Sequence, residues 1–138
     1  MIHETAHKLE SNGFRIHQPI NDQDGTIGYG MERDGEKFLL VTKEYAYKGL
    51  ASAMESLVKK AASADISILF YENTNRTFTV FDATYYAQNG AVSTGKSKTR
   101  NTRWLELPLS EGRSLEDYLG GKRLMTVAGD NTTLGEYQ

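Results

Sequence analysis

Residues 28–43, GYGMERDGEKFLLVTK, constrain the fold more than any other stretch of the chain. Asp34-Gly35 separates two runs of strand-forming residues, and an Asp-Gly pair readily adopts the left-handed backbone that a two-residue hairpin turn demands. Ile27–Arg33 and Lys37–Lys43 are therefore expected as antiparallel neighbours. Phe38-Leu39-Leu40-Val41 is continuously apolar. Such a run is expected of a strand covered on both faces rather than one with a solvated side.

The other elements follow from periodicity and punctuation. Ile2, Ala6 and Leu9 recur at helical spacing, and Asn12-Gly13 stops the helix, so residues 2–12 are read as helical. Phe14 and Ile16 lead into a short strand, and residues 18–25, QPINDQDG, read as a polar loop. Leu50, Met54, Leu57, Val58 and Ala61 make one stripe, which predicts a helix over Lys48–Ala62 packed on the hairpin sheet. Ile66–Tyr71 and Thr77–Phe81 are expected as strands, residues 82–90 as a short helix, residues 91–103 as a polar loop, and Trp104–Leu107 as a last strand. Ser114-Leu-Glu-Asp117 has the form of a capping box for a helix that ends at Gly120-Gly121. The reading is one domain over residues 1–121, followed by a polar, loosely held tail over 122–138.

With 138 residues, 38% hydrophobic and 25% charged, the chain has the balance of a soluble globular domain with its own core. A net charge of −2 means that any nucleic-acid surface must be local. Cysteine is absent, which excludes disulfides and thiolate metal sites. There is no apolar leader and no run of the roughly 20 apolar residues that a membrane span needs. A cytoplasmic location without membrane contact is the expectation.

The order helix, hairpin, strand, helix, strand over residues 2–82 resembles the core of the PD-(D/E)xK nucleases, most closely the archaeal Holliday-junction resolvases. The resemblance implies an α/β (α+β) restriction-endonuclease-like core, a mixed sheet flanked by helices. It also implies two-fold dimers, for which Trp104-Leu-Glu-Leu-Pro-Leu109 could supply an interface or could equally be an internal strand. In that family an Asp on the first hairpin strand and a (D/E)-x-K on the second hold Mg²⁺, which polarises the phosphate and activates water. Laid over this chain, the Lys is Lys43, and the two acids fall on Gly28 and Val41. Neither of those can ligate a metal. Relocated carboxylates would come from Glu32 on Gly28's strand face, Asp24 just before it, Glu4 on the first helix and Glu55 on the second. Glu4 matches the place where resolvases carry a metal-binding Glu.

Two further patterns match chemistry by letter and fail by context. His3-Glu4-Thr5-Ala6-His7 fits HExxH, in which two histidines one helical turn apart share zinc. It begins at residue 3, and the only other histidine, His17, lies past Gly13. Gly90-Ala-Val-Ser-Thr-Gly95-Lys96-Ser97 fits a phosphate-binding loop, yet no apolar helix follows it to offer its N-terminus.

Lys96, Lys98, Arg100 and Arg103 lie among Ser and Thr and run into Trp104, the sole tryptophan. Cations on small polar neighbours suit phosphates, and an indole suits an unpaired base. The expectation is weak, salt-sensitive binding of DNA or RNA by Lys43, Lys96, Lys98, Arg100, Arg103 and Trp104, with little or no cleavage and no required cofactor. Two alternatives stay open: a Mg²⁺-dependent endonuclease with relocated carboxylates, and an assembly subunit with no nucleic-acid role.

Overall fold

The computed structural model describes residues 3–22, 25–96 and 101–120. Asp24, Lys98, Arg100 and the 122–138 tail lie outside them. The element order is α1 (His3–Ser11), β1 (Arg15–Asp22), β2 (Gly25–Arg33), β3 (Glu36–Lys43), β4 (Leu50–Met54), α2 (Glu55–Ser63), β5 (Ser67–Glu72), β6 (Thr77–Phe81), α3 (Ala83–Asn89), β7 (Ala91–Lys96), β8 (Asn101–Pro108) and β9 (Arg113–Ser114). A final helical segment, α4, covers residues 115–120.

The class is α+β, with a six-stranded mixed sheet in the order β1-β2-β3-β5-β6-β9 and a three-stranded sheet in the order β4-β8-β7. The expected hairpin forms with Tyr29 opposite Leu40 and Met31 opposite Phe38. Asp34 at φ 52° and Gly35 at φ 83° make its turn, as the Asp-Gly pair predicts. β3 then pairs in parallel with β5, Leu40 beside Leu69, after the chain crosses over through β4 and α2. β5 and β6 close antiparallel, with Phe70 opposite Thr79.

β3 is covered on both sides, and its alternation divides the core in two. Phe38 and Leu40 join Leu9, Phe14, Met31, Leu69, Phe78, Leu115 and Leu119 on the α1 face. Leu39 and Val41 join Leu57, Val58 and Ala61 of α2, Tyr86 of α3, and Leu105 and Leu107 of the small sheet on the other. Fully burying one such aliphatic side chain stabilises by about 1.5–3 kcal/mol, so the two faces together hold the fold.

Three expectations are corrected. Within the span read as a loop over 18–25, residues 18–22 continue β1, whose register slips between Ile16 and Pro19 to carry a proline on an edge strand. The helix expected over Lys48–Ala62 begins only at Glu55. Residues Leu50–Met54 form β4 instead, with Ala51 and Ala53 alternately buried. Leu, Ala and Met favour helix in isolation, but here pairing with β8, Ala53 opposite Leu105, overrides propensity. Within the span read as a loop over 91–103, Ala91–Lys96 is β7, and Asn101–Arg103 is the start of β8. The Trp104–Leu109 stretch is an internal strand and turn rather than a free apolar edge, since Leu105 and Leu107 are buried.

Candidate functional site

The structure first explains why the hairpin positions cannot hold a metal. Gly28 is opposite Ile20, and continuing the β2–β3 register puts it across from Val41. A Cβ at Gly28 would lie 3.0 Å from the Leu40 carbonyl oxygen, 3.2 Å from Leu39 Cδ1 and 3.4 Å from Leu57 Cδ2. Val41 is buried in the same cluster. Where the resemblance would place two carboxylates, α2 sits directly on the sheet. The residues present there do not fit a Mg²⁺ ion.

The relocated candidates do not converge either. Glu32 pairs with Lys37, takes an ionic contact from Arg15 at 3.2 Å and lies 3.6 Å from His17 Nε2. Lys37 is six residues from Lys43 along an extended strand, roughly 20 Å at about 3.3 Å per residue. Glu4 lies on α1, across the sheet from the face that carries Val41. Glu55 opens α2 and is held by Arg103, with Nε at 2.8 Å and Nη2 at 3.2 Å, and by Lys59 at 3.7 Å. The Arg103 hydrogen bond holds the Glu55 carboxyl below its ordinary range, and raises Arg103 in turn. Among the described residues no three His, Asp or Glu group as a metal would need. The HExxH pattern does lie on α1, but His17 follows Ile16, which packs on the α1 face. Alternation therefore aims His17 at the opposite face. Gly90–Lys96 is a helix end followed by a strand, the reverse of the strand-to-helix order a phosphate loop requires.

Lys43 and Trp104, in contrast, come together. The Lys43 ammonium sits 4.2 Å from the centroid of the Trp104 ring, 61 positions along the chain. A cation over an indole face is held by the ring quadrupole, and more strongly when water is partly excluded. Burial lowers the Lys43 pKa from its ordinary value. Trp104 is half-buried in the middle of the small sheet, opposite Met54 on one side and Ser93 on the other. Arg103, its neighbour, points to the other face, toward Glu55. Lys96 closes β7 opposite Asn101, the first residue of β8. Trp104 of β8 thus meets Lys43, while Arg103 beside it pairs with Glu55 of α2.

One feature escaped the sequence reading. Glu72 is buried at the end of β5, beside Lys43, and accepts hydrogen bonds from the Ala46 amide and from Asn75 Nδ2 at 3.0 Å. Glu44 is fastened as well, with its carboxylate taking the Asn73 amide at 2.9 Å and its carbonyl the Thr74 hydroxyl at 2.6 Å. The loop leaving Lys43 is therefore clamped to the β5–β6 turn. No local signal marks a buried Glu next to a Glu-Asn-Thr-Asn turn, which reads as solvated surface.

Comparison with protein-family models, curated proteins and solved structures finds no match to this chain. No described helix is long and apolar enough to cross a membrane.

Proposed function

We propose that the protein binds nucleic acid through the surface built by Lys43, Trp104 and the β7–β8 hairpin, and does not cleave it. The observation that carries this reading is the stacking of Lys43 on Trp104. It joins the lysine of the nuclease-like hairpin to the cation-rich hairpin that follows α3. Lys96, Lys98 and Arg100, which precede Trp104 in the sequence, supply the charge for phosphates, and the half-buried Trp104 supplies an aromatic face. Arg103 is occupied by Glu55, so its part is to hold the hairpin in place.

The order of β2, β3, α2 and β5 is in keeping with the resolvase-like scaffold that the sequence suggests. Closure of the Gly28–Val41 position by Leu57 supports a binding role over a catalytic one.

The sole tryptophan lies in the proposed site, which makes the test direct. Titration with a short oligonucleotide at low salt should change Trp104 fluorescence. The apparent affinity should fall linearly in log salt as counterions are released. A fluorescence signal unmoved by DNA and RNA at low salt refutes the proposal and favours a role in protein assembly. Mg²⁺-dependent cutting that is abolished by Lys43→Ala would favour the endonuclease reading instead.

A further inference from the structure

We propose that Tyr45 and Tyr47 stack unpaired bases, so that the preferred ligand is single-stranded nucleic acid, or the unpaired part of a branched one, rather than continuous duplex. This rests on the nucleic-acid-binding reading of the adjoining Lys43–Trp104 surface. The two rings are the most exposed large hydrophobic side chains among the described residues, at 59% and 67%. Both lie within four residues of Lys43. Ala46 between them is buried, so the segment alternates outward, inward, outward.

That exposure is not looseness. The Glu44 carbonyl is held by the Thr74 amide at 2.9 Å, the Ala46 amide is held by buried Glu72, and the Gly49 amide returns to the Ala46 carbonyl at 3.0 Å. Lys48 sits at φ 55°, a left-handed conformation that costs a non-glycine residue strain and persists only where its surroundings enforce it. A fixed loop that holds two aromatic rings in water forgoes their burial in the free protein. It also lowers the ordering cost when something flat is placed against them.

The flanking charge selects the occupant. Lys43 precedes the pair, and the Lys48 ammonium lies 5.3 Å from the Tyr47 ring centroid. The Tyr47 ring therefore stands beside a cation able to meet the phosphate next to a stacked base. Paired bases inside a duplex offer no free face to a tyrosine, whereas every unpaired base offers one.

The test compares fluorescence polarisation of a labelled oligothymidylate with that of a blunt hairpin duplex of equal phosphate count. Tyr45→Ala/Tyr47→Ala should bind the oligothymidylate about tenfold or more weakly, the loss expected for removing base stacking. Its duplex binding should stay within about twofold, and Tyr45→Phe/Tyr47→Phe should keep wild-type binding to both. Equal single-strand binding by the alanine pair, or an equal loss on duplex, overturns the inference while leaving the nucleic-acid reading intact. If wild type binds neither probe, the broader reading fails and takes this one with it. Photocrosslinking of wild type to a 4-thiothymidine oligomer avoids dependence on the variants. Crosslinks should map to Tyr45 or Tyr47, and crosslinks confined to other residues would overturn the proposal.

Discussion

Val41 and Lys43 are two residues apart on one face of one strand, yet they belong to different kinds of surface. Val41 is buried in the core cluster that includes Leu39, Leu57 and Ile68. Lys43, where β3 runs out from under α2, lies against Trp104. The contrast teaches that one strand face is divided. Its middle is packing, and its end carries a partly buried cation against an indole. Each experiment below asks whether that boundary is real.

The largest effect should come from forcing chemistry back into the packed half. Val41→Glu buries a carboxylate with no partner, and Gly28→Asp drives a side chain against the Leu40 carbonyl and Leu57. An uncompensated buried charge costs about 3–5 kcal/mol. Urea unfolding of Val41→Glu should show a loss of that order, and the Gly28→Asp/Val41→Glu protein should gain no Mg²⁺-dependent cleavage. A double variant that is stable and cuts DNA would show that the middle of the face can hold a metal.

The accessible half is tested by Lys43→Ala/Lys96→Ala/Lys98→Ala/Arg100→Ala. Its log affinity against log salt should flatten by about 0.9 for each phosphate contact removed on duplex DNA. Thermal stability should change little. An unchanged slope in a folded variant would move the binding surface elsewhere.

Glu72 sits at the boundary itself, anchoring the loop that follows Lys43. Glu72→Ala leaves the Ala46 amide without its acceptor, a loss of about 1–3 kcal/mol for a buried donor. Hydrogen exchange of residues 44–49 should quicken more than that of β3. Exchange that quickens uniformly would mean that Glu72 supports the whole sheet rather than this loop.

The hairpin, its turn and the two-faced burial of β3 were legible because they depend on local chemistry: Asp34-Gly35 and the run Phe38–Val41. The packing of Leu57, Val58 and Ala61 was legible for the same reason. Leu50–Met54 was not, because a strand of Leu, Ala and Met exists only by pairing with β8, a partner that a linear pattern does not name. Lys43 and the basic stretch could each be found in the sequence. Their contact through Trp104 could not, because it depends on how the small sheet returns to the end of β3. The Glu55–Arg103 pair was hidden likewise.

The smallest effect, and the sharpest on the boundary, is the titration of Lys43. Burial lowers its pKa in the folded protein from the ordinary 10.5. A lysine depressed on folding favours the folded state in its neutral form. The penalty for its charge is fully present below the folded pKa, and it is relieved as pH rises from there to the unfolded value. Over that interval wild type should gain stability relative to Lys43→Met, measured by parallel denaturant titrations. Binding should move the other way. The phosphate contact needs the ammonium, so oligonucleotide affinity should fall through the same interval, before the exposed lysines titrate, and Lys43→Met should lack that step. If stability and affinity instead change together, the ammonium is held by a fixed anion rather than by Trp104 and solvent. Lys43 would then belong with Val41, on the structural side of the divide.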